Sequence, residues 1–236
     1  MKKKISIIGE FDLERMEQKC FYSFLNFASL TSFYSRENSQ QIYYFCDGIL
    51  MAKLVSLLTK EKINRISFDF TSIADPVFEF IERNKKRLFV LGASKLEIEL
   101  FCEKIRNKYP DIVIVGYRNG FFSNEEAGNV INEIAIRKPD YILLGLGAGK
   151  QEQFGCMLLS ELNNISMFTC GGFIRQESNS SKNYYPRLID KLNLRAFYRM
   201  YKEPHTIRRY LIDYPKNSLI FIYYYLTGKI EIDIKK

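Results

Sequence analysis

Two short stretches of the chain combine residue types that could do chemistry. Asp47 follows the aromatic run Tyr43-Tyr44-Phe45 and precedes Gly48. A carboxylate beside an apolar strand end can have its pKa raised into the range of a general base, and the same position can cap a following helix. The residues leave both readings open. The run Gly145-Leu-Gly147-Ala-Gly149 leads into Lys150-Gln151-Glu152. Glycines allow close backbone approach to a ligand, and a helix start offers N–H groups to phosphate. The run is not a dinucleotide fingerprint, because the third glycine would fall at Lys150. The strand about 20 residues on also ends in Cys170-Gly171 without an acidic ribose ligand. It is not a phosphate-binding P-loop either, since Gln151 stands where a hydroxyl residue would follow the lysine.

Other chemistries lack their residues. His205 is the only histidine, no GxSxG elbow surrounds a serine, and no DxD pair is present to hold Mg²⁺ on a diphosphate. The cysteines at 20, 46, 102, 156 and 170 form no close pair, so neither a zinc motif nor a disulfide framework is readable and a reducing compartment fits. The expectation is no metal and no cofactor, with Arg and Lys meeting any phosphate charge.

These residues need a scaffold, and the middle of the sequence repeats one grammar: an apolar β-branched run, a glycine, then a polar residue opening a helical pattern. Arg87–Gly92 reads as a strand. Ser94 and Glu97 have capping-box spacing, and Leu96, Leu100, Phe101 and Ile105 share a helical face. Asp111–Val115 is the next strand, closing at Gly116, and Ser123 with Glu126 opens a helix carrying Val130, Ile131 and Ile134. Asp140–Leu144, a helix over Gln151–Leu162, and Ile165–Cys170 before Gly171-Gly172 continue the alternation. Upstream, Ile5–Ile8, Phe21–Leu25 and Ile42–Phe45 read as strands, with helices over Phe27–Ser35 and Ile49–Leu58. Continuous apolar strands imply burial on both faces. The prediction is an α/β fold, a Rossmann-like, largely parallel sheet with helices on both faces and a small basic helical C-terminal appendage. In such sheets ligands bind at the turns after the strands, here the turns at Asn26, Asp47, Gly92, Gly116–Gly120, Gly145–Glu152 and Gly171-Gly172.

Length and charge complete the frame. The 236 residues, 47% hydrophobic and with a net charge of +8, can bury a core. Residues 182–236 hold 12 Lys and Arg against five Asp and Glu, so they carry seven of the eight net charges. The domain reading is therefore a catalytic core over 1–181 and a basic, aromatic-rich appendage over 182–236. Such a tail suits phospholipid, nucleic acid or a pyrophosphate-bearing substrate. The N-terminal Met1-Lys-Lys-Lys is followed by only a short apolar run, so no secretory signal is expected. No apolar stretch approaches the roughly 20 residues of a spanning helix.

From about Arg87 to Tyr210 the sequence resembles the WecG/TagA/CpsF family of bacterial glycosyltransferases. The matching pieces run in order: Leu91-Gly92, Tyr109-Pro110, Ile114-Val115-Gly116, Gly120-Phe121-Phe122, Lys138-Pro139-Asp140-Tyr141-Ile142-Leu143, Gly145 to Glu152, Gly171-Gly172, Tyr198-Arg199, Glu203-Pro204 and Arg208-Arg209-Tyr210. Upstream, Asp47-Gly48 fits the family's Asp-Gly, Asn26 the Asn of Thr-x-Asn, and Arg65 to Asp69 an Arg-x-x-Gly-x-Asp-like segment. The chain departs from the usual pattern at Phe24 (for Thr), Phe68 (for Gly), Gly149 (for Pro), Tyr184-Tyr185 (for Arg-Ala) and Arg195-Ala196 (for Glu-Trp).

The resemblance implies metal-independent, inverting transfer of an N-acetylhexosamine or hexose from a UDP-sugar to a polyprenyl-diphosphate-linked sugar, in bacterial surface polysaccharide synthesis. By the same resemblance Asp47 is the general base, while Arg65, Arg199, Arg208 and Arg209 stabilise the departing diphosphate. Gln151, with Gly145 and Gly147, positions the donor sugar. Asn26, Gly92, Glu152, Gly171 and Gly172 join the substrate-binding set. The implied partners are the UDP-sugar, the lipid-linked acceptor and an anionic membrane surface on the inner face of the cytoplasmic membrane, with no nucleic acid. A homo-oligomer is left open. The alternative class is a non-catalytic nucleotide-sugar or polyanion-binding protein on the same fold.

Overall fold

The computed structural model describes residues 2–14, 19–30, 34, 42–162, 164–180, 184–192 and 194–235. Eight strands form an all-parallel sheet: β1 (Lys3–Ile8), β2 (Phe21–Leu25), β3 (Ile42–Cys46), β4 (Arg87–Gly92), β5 (Val113–Arg118), β6 (Tyr141–Gly145), β7 (Ser166–Thr169) and β8 (Ile230–Lys235). Their order is β5-β4-β6-β7-β2-β3-β1-β8, with helices around the sheet, and this is the α/β fold that the alternation predicts. The chain divides into two compact units. One comprises Met1–Glu10, Phe24–Ser67 and Tyr185–Lys236, the other Phe11–Ser23 and Phe68–Tyr184.

In the first unit, β1 pairs with β3 (Ser6 opposite Tyr43) and with β8 (Lys3 opposite Ile230 through Ile8 opposite Lys235). Helix α1 (Ile49–Thr59) follows β3 and buries Met51, Ala52 and Val55. The predicted helix over Phe27–Ser35 falls in part outside the described residues, at 31–33 and 35. Strand β8 is an element the sequence reading did not anticipate. Its Ile-Glu-Ile-Asp-Ile alternation has the period of a strand with one exposed face, and Lys2–Glu231 (2.9 Å) and Lys4–Asp233 (3.0 Å) pair across the exposed side.

The last fifty residues of this unit form α7 (Arg187–Lys191), α8 (Arg195–Lys202), a 3₁₀ turn at Pro204–Thr206, a π-helical stretch at Arg209–Asp213 and α9 (Tyr214–Leu226). The π stretch has a local cause. Pro215 has no N–H and its ring crowds the carbonyl one turn back, so the ladder widens and the Tyr214 N–H bonds to the Arg209 carbonyl instead. Helix α9 is tied to the rest of the unit by fully buried Phe221, by Asn217 Nδ2 donating to the Phe27 carbonyl (2.6 Å) and by the Tyr225 hydroxyl donating to the Leu58 carbonyl (2.9 Å).

The second unit contains β4 to β7 and the start of β2, with α2 (Ala74–Arg83), α3 (Lys95–Lys108), α4 (Ala127–Arg137), α5 (Lys150–Glu161) and α6 (Phe173–Ser178). Phe68, Phe78, Phe101, Phe168 and Phe173 pack edge to face and tilted as its aromatic core. On α3 the buried face is Ile98, Phe101, Cys102 and Ile105, whereas Leu96 and Leu100 are exposed. The buried stripe is therefore rotated from the predicted one, with Ile98 and Cys102 in place of Leu96 and Leu100. Gly116 does not close β5 but lies within it, where a Cβ would sit 2.7 Å from the Phe89 ring, beside the register shift between Leu88 and Phe89. The other strand and helix boundaries lie within a few residues of those predicted, and Val130, Ile131 and Ile134 are the buried face of α4.

Candidate functional site

In the first unit, β3 ends at Cys46 and delivers Asp47 beside Asn26. The Asp47 N–H donates to the Leu25 carbonyl (2.9 Å), and a parallel bridge joins Cys46 to Arg65. The helix cap is Gly48 at φ 89°, with no side-chain capping bond. Gly48, not Asp47, is thus the residue at the N-cap position of α1. Asp47 Oδ2 accepts from Asn26 Nδ2 at 3.3 Å. The orientation of the Asn26 amide is fixed by its other end, because Oδ1 accepts from the N–H groups of Ala28 (3.0 Å) and Ser29 (3.1 Å). The NH₂ group therefore has to face Asp47.

Cations gather in the same unit. Arg209 Nη2 approaches Asn26 Oδ1 at 3.5 Å, and the Arg209 guanidinium lies 5.7 Å from the Tyr214 ring centroid. Arg199 forms an ion pair with Glu203 at 3.5 Å. Burial works against its charge, but Tyr185, Tyr210, Glu203 and Asp47 outweigh burial and hold its pKa above the ordinary arginine value. The Nε atoms of Arg199 and Arg209 are buried and make no hydrogen bond among the described residues. Burial pushes the Tyr214 hydroxyl up to about 12, with Tyr210 and Asp47 adding to the rise against Arg209. Burial, then the Asp47 charge, pushes the Cys46 thiol up to about 12.

Two further arginines meet at one hydroxyl. Arg65 Nη1 donates to Ser67 Oγ at 3.1 Å and Arg195 Nη1 at 3.3 Å, with the Arg195 guanidinium 4.6 Å from the Tyr185 ring centroid. Arg195 was not among the predicted site residues. Its only sequence signal was the departure from the resembled pattern, a cation where Glu is usual. Arg208, in contrast, is exposed, and the structure does not gather it with Arg209.

In the second unit the predicted glycines lie side by side. A Cβ on Gly92 would fall 2.5 Å from the Gly145 carbonyl oxygen, and one on Gly145 would fall 3.2 Å from Cys170 Sγ and 3.3 Å from the Gly171 carbonyl oxygen. Strand ends this close accept no side chain. Gly149 has φ 88°, a conformation closed to the proline usual at this position in the resembled pattern.

Glu152 is 7% exposed and fully engaged. Oε2 accepts from the Gly149 N–H (2.7 Å), while Oε1 accepts from the Ser23 hydroxyl (2.7 Å) and from Gln151 Nε2 (3.0 Å). Thr169 Oγ1 donates to Ser23 Oγ (3.0 Å), and Gln151 Oε1 accepts from the Gly171 N–H (3.3 Å). Ser23 and Thr169, both fully buried, are members of this network that the sequence reading missed. Nothing in their local spacing marks them, since they are hydroxyls inside strands. Gly172 caps α6 through its backbone alone. Lys150 turns away from the glycine run and donates to the carbonyls of Gly120 (3.2 Å) and Phe122 (3.0 Å), 4.2 Å from the Phe122 ring centroid.

Three turns of this unit carry their own carboxylate: Glu97 on the Ser94 N–H (2.8 Å) at the start of α3, Glu152 on the Gly149 N–H (2.7 Å) at the start of α5, and Glu126 on the Ser123 N–H (2.7 Å) in the turn that precedes α4. Each satisfies one backbone N–H. Among the described residues, no group of three or more His, Cys, Asp or Glu is arranged to hold a metal ion.

The family model for the "Glycosyl transferase WecG/TagA/CpsF family" matches residues 10–230. A UDP-Gal:alpha-D-GlcNAc-diphosphoundecaprenol beta-1,4-galactosyltransferase of Shigella boydii is 36% identical over 212 residues, covering 88% of this chain and 89% of the relative. An N-acetylglucosaminyldiphosphoundecaprenol N-acetyl-beta-D-mannosaminyltransferase of Staphylococcus aureus (strain MW2) is 26% identical over 208 residues, 88% of this chain and 78% of the relative. The parallel α/β sheet, the Asp47-Gly48 turn and the glycine run thus stand within a match over nearly the whole length: the chain belongs to the WecG/TagA/CpsF family of glycosyltransferases.

Proposed function

We propose that this glycosyltransferase moves a hexose or N-acetylhexosamine from a UDP-sugar to a hydroxyl of a sugar carried on a polyprenyl diphosphate, with inversion and without a metal ion. The observation that carries the reading is Asp47, a carboxylate that stands before the N-cap position of α1, oriented by the Asn26 amide and set among Arg199 and Arg209 in its own unit. In this reading Asp47 takes the proton of the acceptor hydroxyl. The oxygen forms its bond to the anomeric carbon as the bond from that carbon to the UDP oxygen breaks, and the electron pair leaves on the diphosphate. Arg199, Arg209 and Arg65 meet the charge that develops there; the buried Arg209 Nε, without a hydrogen bond among the described residues, supplies a donor for it. Gln151 and the glycine turn hold the donor sugar. Both quoted relatives carry names specifying a GlcNAc-diphosphoundecaprenol acceptor, and the 36% identical one names UDP-Gal as donor, which makes galactose the first donor to test.

The acceptor's lipid implies work at a membrane surface, on the inner face of the cytoplasmic membrane. Among the described residues no helix is long and apolar enough to cross a membrane. The C-terminal helices instead expose Leu211, Ile212, Leu219, Tyr223 and Leu226 beside the basic residues of the tail, a composition suited to lying on anionic lipid. The test is incubation with a panel of UDP-sugars and a short-chain GlcNAc-diphospholipid in EDTA, with the product identified by mass spectrometry. One disaccharide product whose new linkage is β, from an α-linked donor, is expected. Transfer only on adding Mg²⁺ or Mn²⁺, or no transfer from any donor, would refute the reading.

A further inference from the structure

We infer that Glu152 is a positioning residue that holds the Gln151 amide, in the turn before α5, in the orientation in which it meets the uncharged sugar of the donor. This rests on the donor reading above. The buried carboxylate, itself held with Oε2 on the Gly149 N–H at 2.7 Å, accepts one Gln151 Nε2 hydrogen on Oε1 at 3.0 Å, and the Gly171 N–H holds the other end of the amide by donating to Gln151 Oε1 at 3.3 Å. What Gln151 can still offer a ligand is its second N–H and one lone pair, a donor and an acceptor in fixed places, which match a hydroxyl group. Ser23 and Thr169, fully buried beneath the carboxylate, hold Oε1 in turn.

The distinction between positioning and plain stability is measurable, because a residue that acts through Gln151 loses its effect once Gln151 is gone. Titration calorimetry with UDP-galactose and with UDP would be run on the full chain and on Glu152→Gln, Gln151→Ala and the double variant, alongside thermal melts. Expected is a loss of about tenfold in UDP-galactose affinity for each single variant, with the double variant no weaker than Gln151→Ala, and UDP affinity within about twofold throughout. Equal weakening of UDP and UDP-galactose, additive losses in the double variant, or an unchanged Glu152→Gln would overturn the inference. Should Glu152→Gln fail to fold, Ser23→Ala removes one bond to the carboxylate and keeps the charge. It should cost about threefold in UDP-galactose affinity and nothing in UDP affinity, and a variant that binds both as the parent does refutes the positioning role. A parent chain that binds UDP-galactose no better than UDP alone refutes the assignment of the sugar to this turn. A parent that binds neither refutes the donor reading itself.

Discussion

The two units use their carboxylates differently. In the unit that holds Asp47, that carboxylate accepts from a single side-chain amide, Asn26 Nδ2, and its charge reaches Arg199. In the unit that holds the glycine turns, Glu97, Glu126 and Glu152 each close a backbone N–H of a turn, and the Lys104–Glu177 pair (2.6 Å) is joined by the Ser180 carbonyl and the Tyr184 N–H. A carboxylate that accepts several hydrogen bonds has little capacity left for a proton or a ligand. The comparison teaches that the fold spends the second group of carboxylates on its own backbone and leaves Asp47 with acceptor capacity.

The sharpest way to break that contrast is at Asp47. Asp47→Asn keeps the shape and the Asn26 contact but removes the proton acceptor, so turnover should fall by about two to four orders of magnitude while UDP binding and the melting temperature stay put. Unchanged turnover, read in a radiolabel transfer assay, would remove the base from the mechanism. Next in size is the pair Arg209→Ala and Arg208→Ala. Arg209 sits at Asn26 and Tyr214, whereas Arg208 is exposed. The first should lower kcat by about a hundredfold and the second by no more than a few-fold, and equal losses would show that the π-helical stretch does not select between them.

A third comparison separates stability from charge handling. Ser94→Ala removes the α3 cap and should cost about 1 kcal/mol in urea unfolding while leaving transfer intact, since the Ser94 hydroxyl serves the Glu97 N–H of its own helix. Smallest is a pH effect at the same cap. Burial would raise the Glu97 carboxyl, but the two bonds with Ser94, then Arg175 and Asn179, hold it below its ordinary 4.5. A folded pKa below the unfolded one stabilises above the unfolded value and loses that stabilisation as pH falls through the folded one. Glu97→Gln should therefore flatten the acid side of the stability curve between about pH 5 and 3. The amplitude should stay under about 1 kcal/mol, because the group is solvent-screened. A steeper acid limb in the variant would contradict the sign.

Local pattern carried much of this protein. The β4-to-α3 unit was readable because a short apolar run, Gly92 and the Ser94–Glu97 spacing all concern residues within one turn of each other, and the capping box is there. Asp47 was readable as a candidate, but its hydrogen-bond partner was not, because that partner is Asn26, twenty-one residues away, whose amide is fixed by the turn at Ala28 and Ser29. Ser23, Thr169 and Arg195 carried no local signal strong enough to read, since each bonds to a partner more than a hundred residues distant: Glu152 for the first, Ser23 for the second and Ser67 for the third. Strand β8 was hidden for a related reason. Its alternating Ile230-Glu-Ile-Asp-Ile becomes a strand by pairing with Lys3–Ile8 at the other end of the chain.

By itself, then, the sequence determined the periodicity of strands and helices, the glycines where strand ends meet, the basic tail and the family. These are properties of neighbouring residues or of ordered motifs. Tertiary structure alone decided which carboxylates are spent and which are free. Glu152 accepts from three donors, two in its own turn and Ser23 from a distant strand, whereas Asp47 receives one amide and faces cations. Hydrogen bonds that satisfy a buried charge come from wherever the fold brings a donor within about 3 Å, and that distance is set by packing rather than by spacing along the chain.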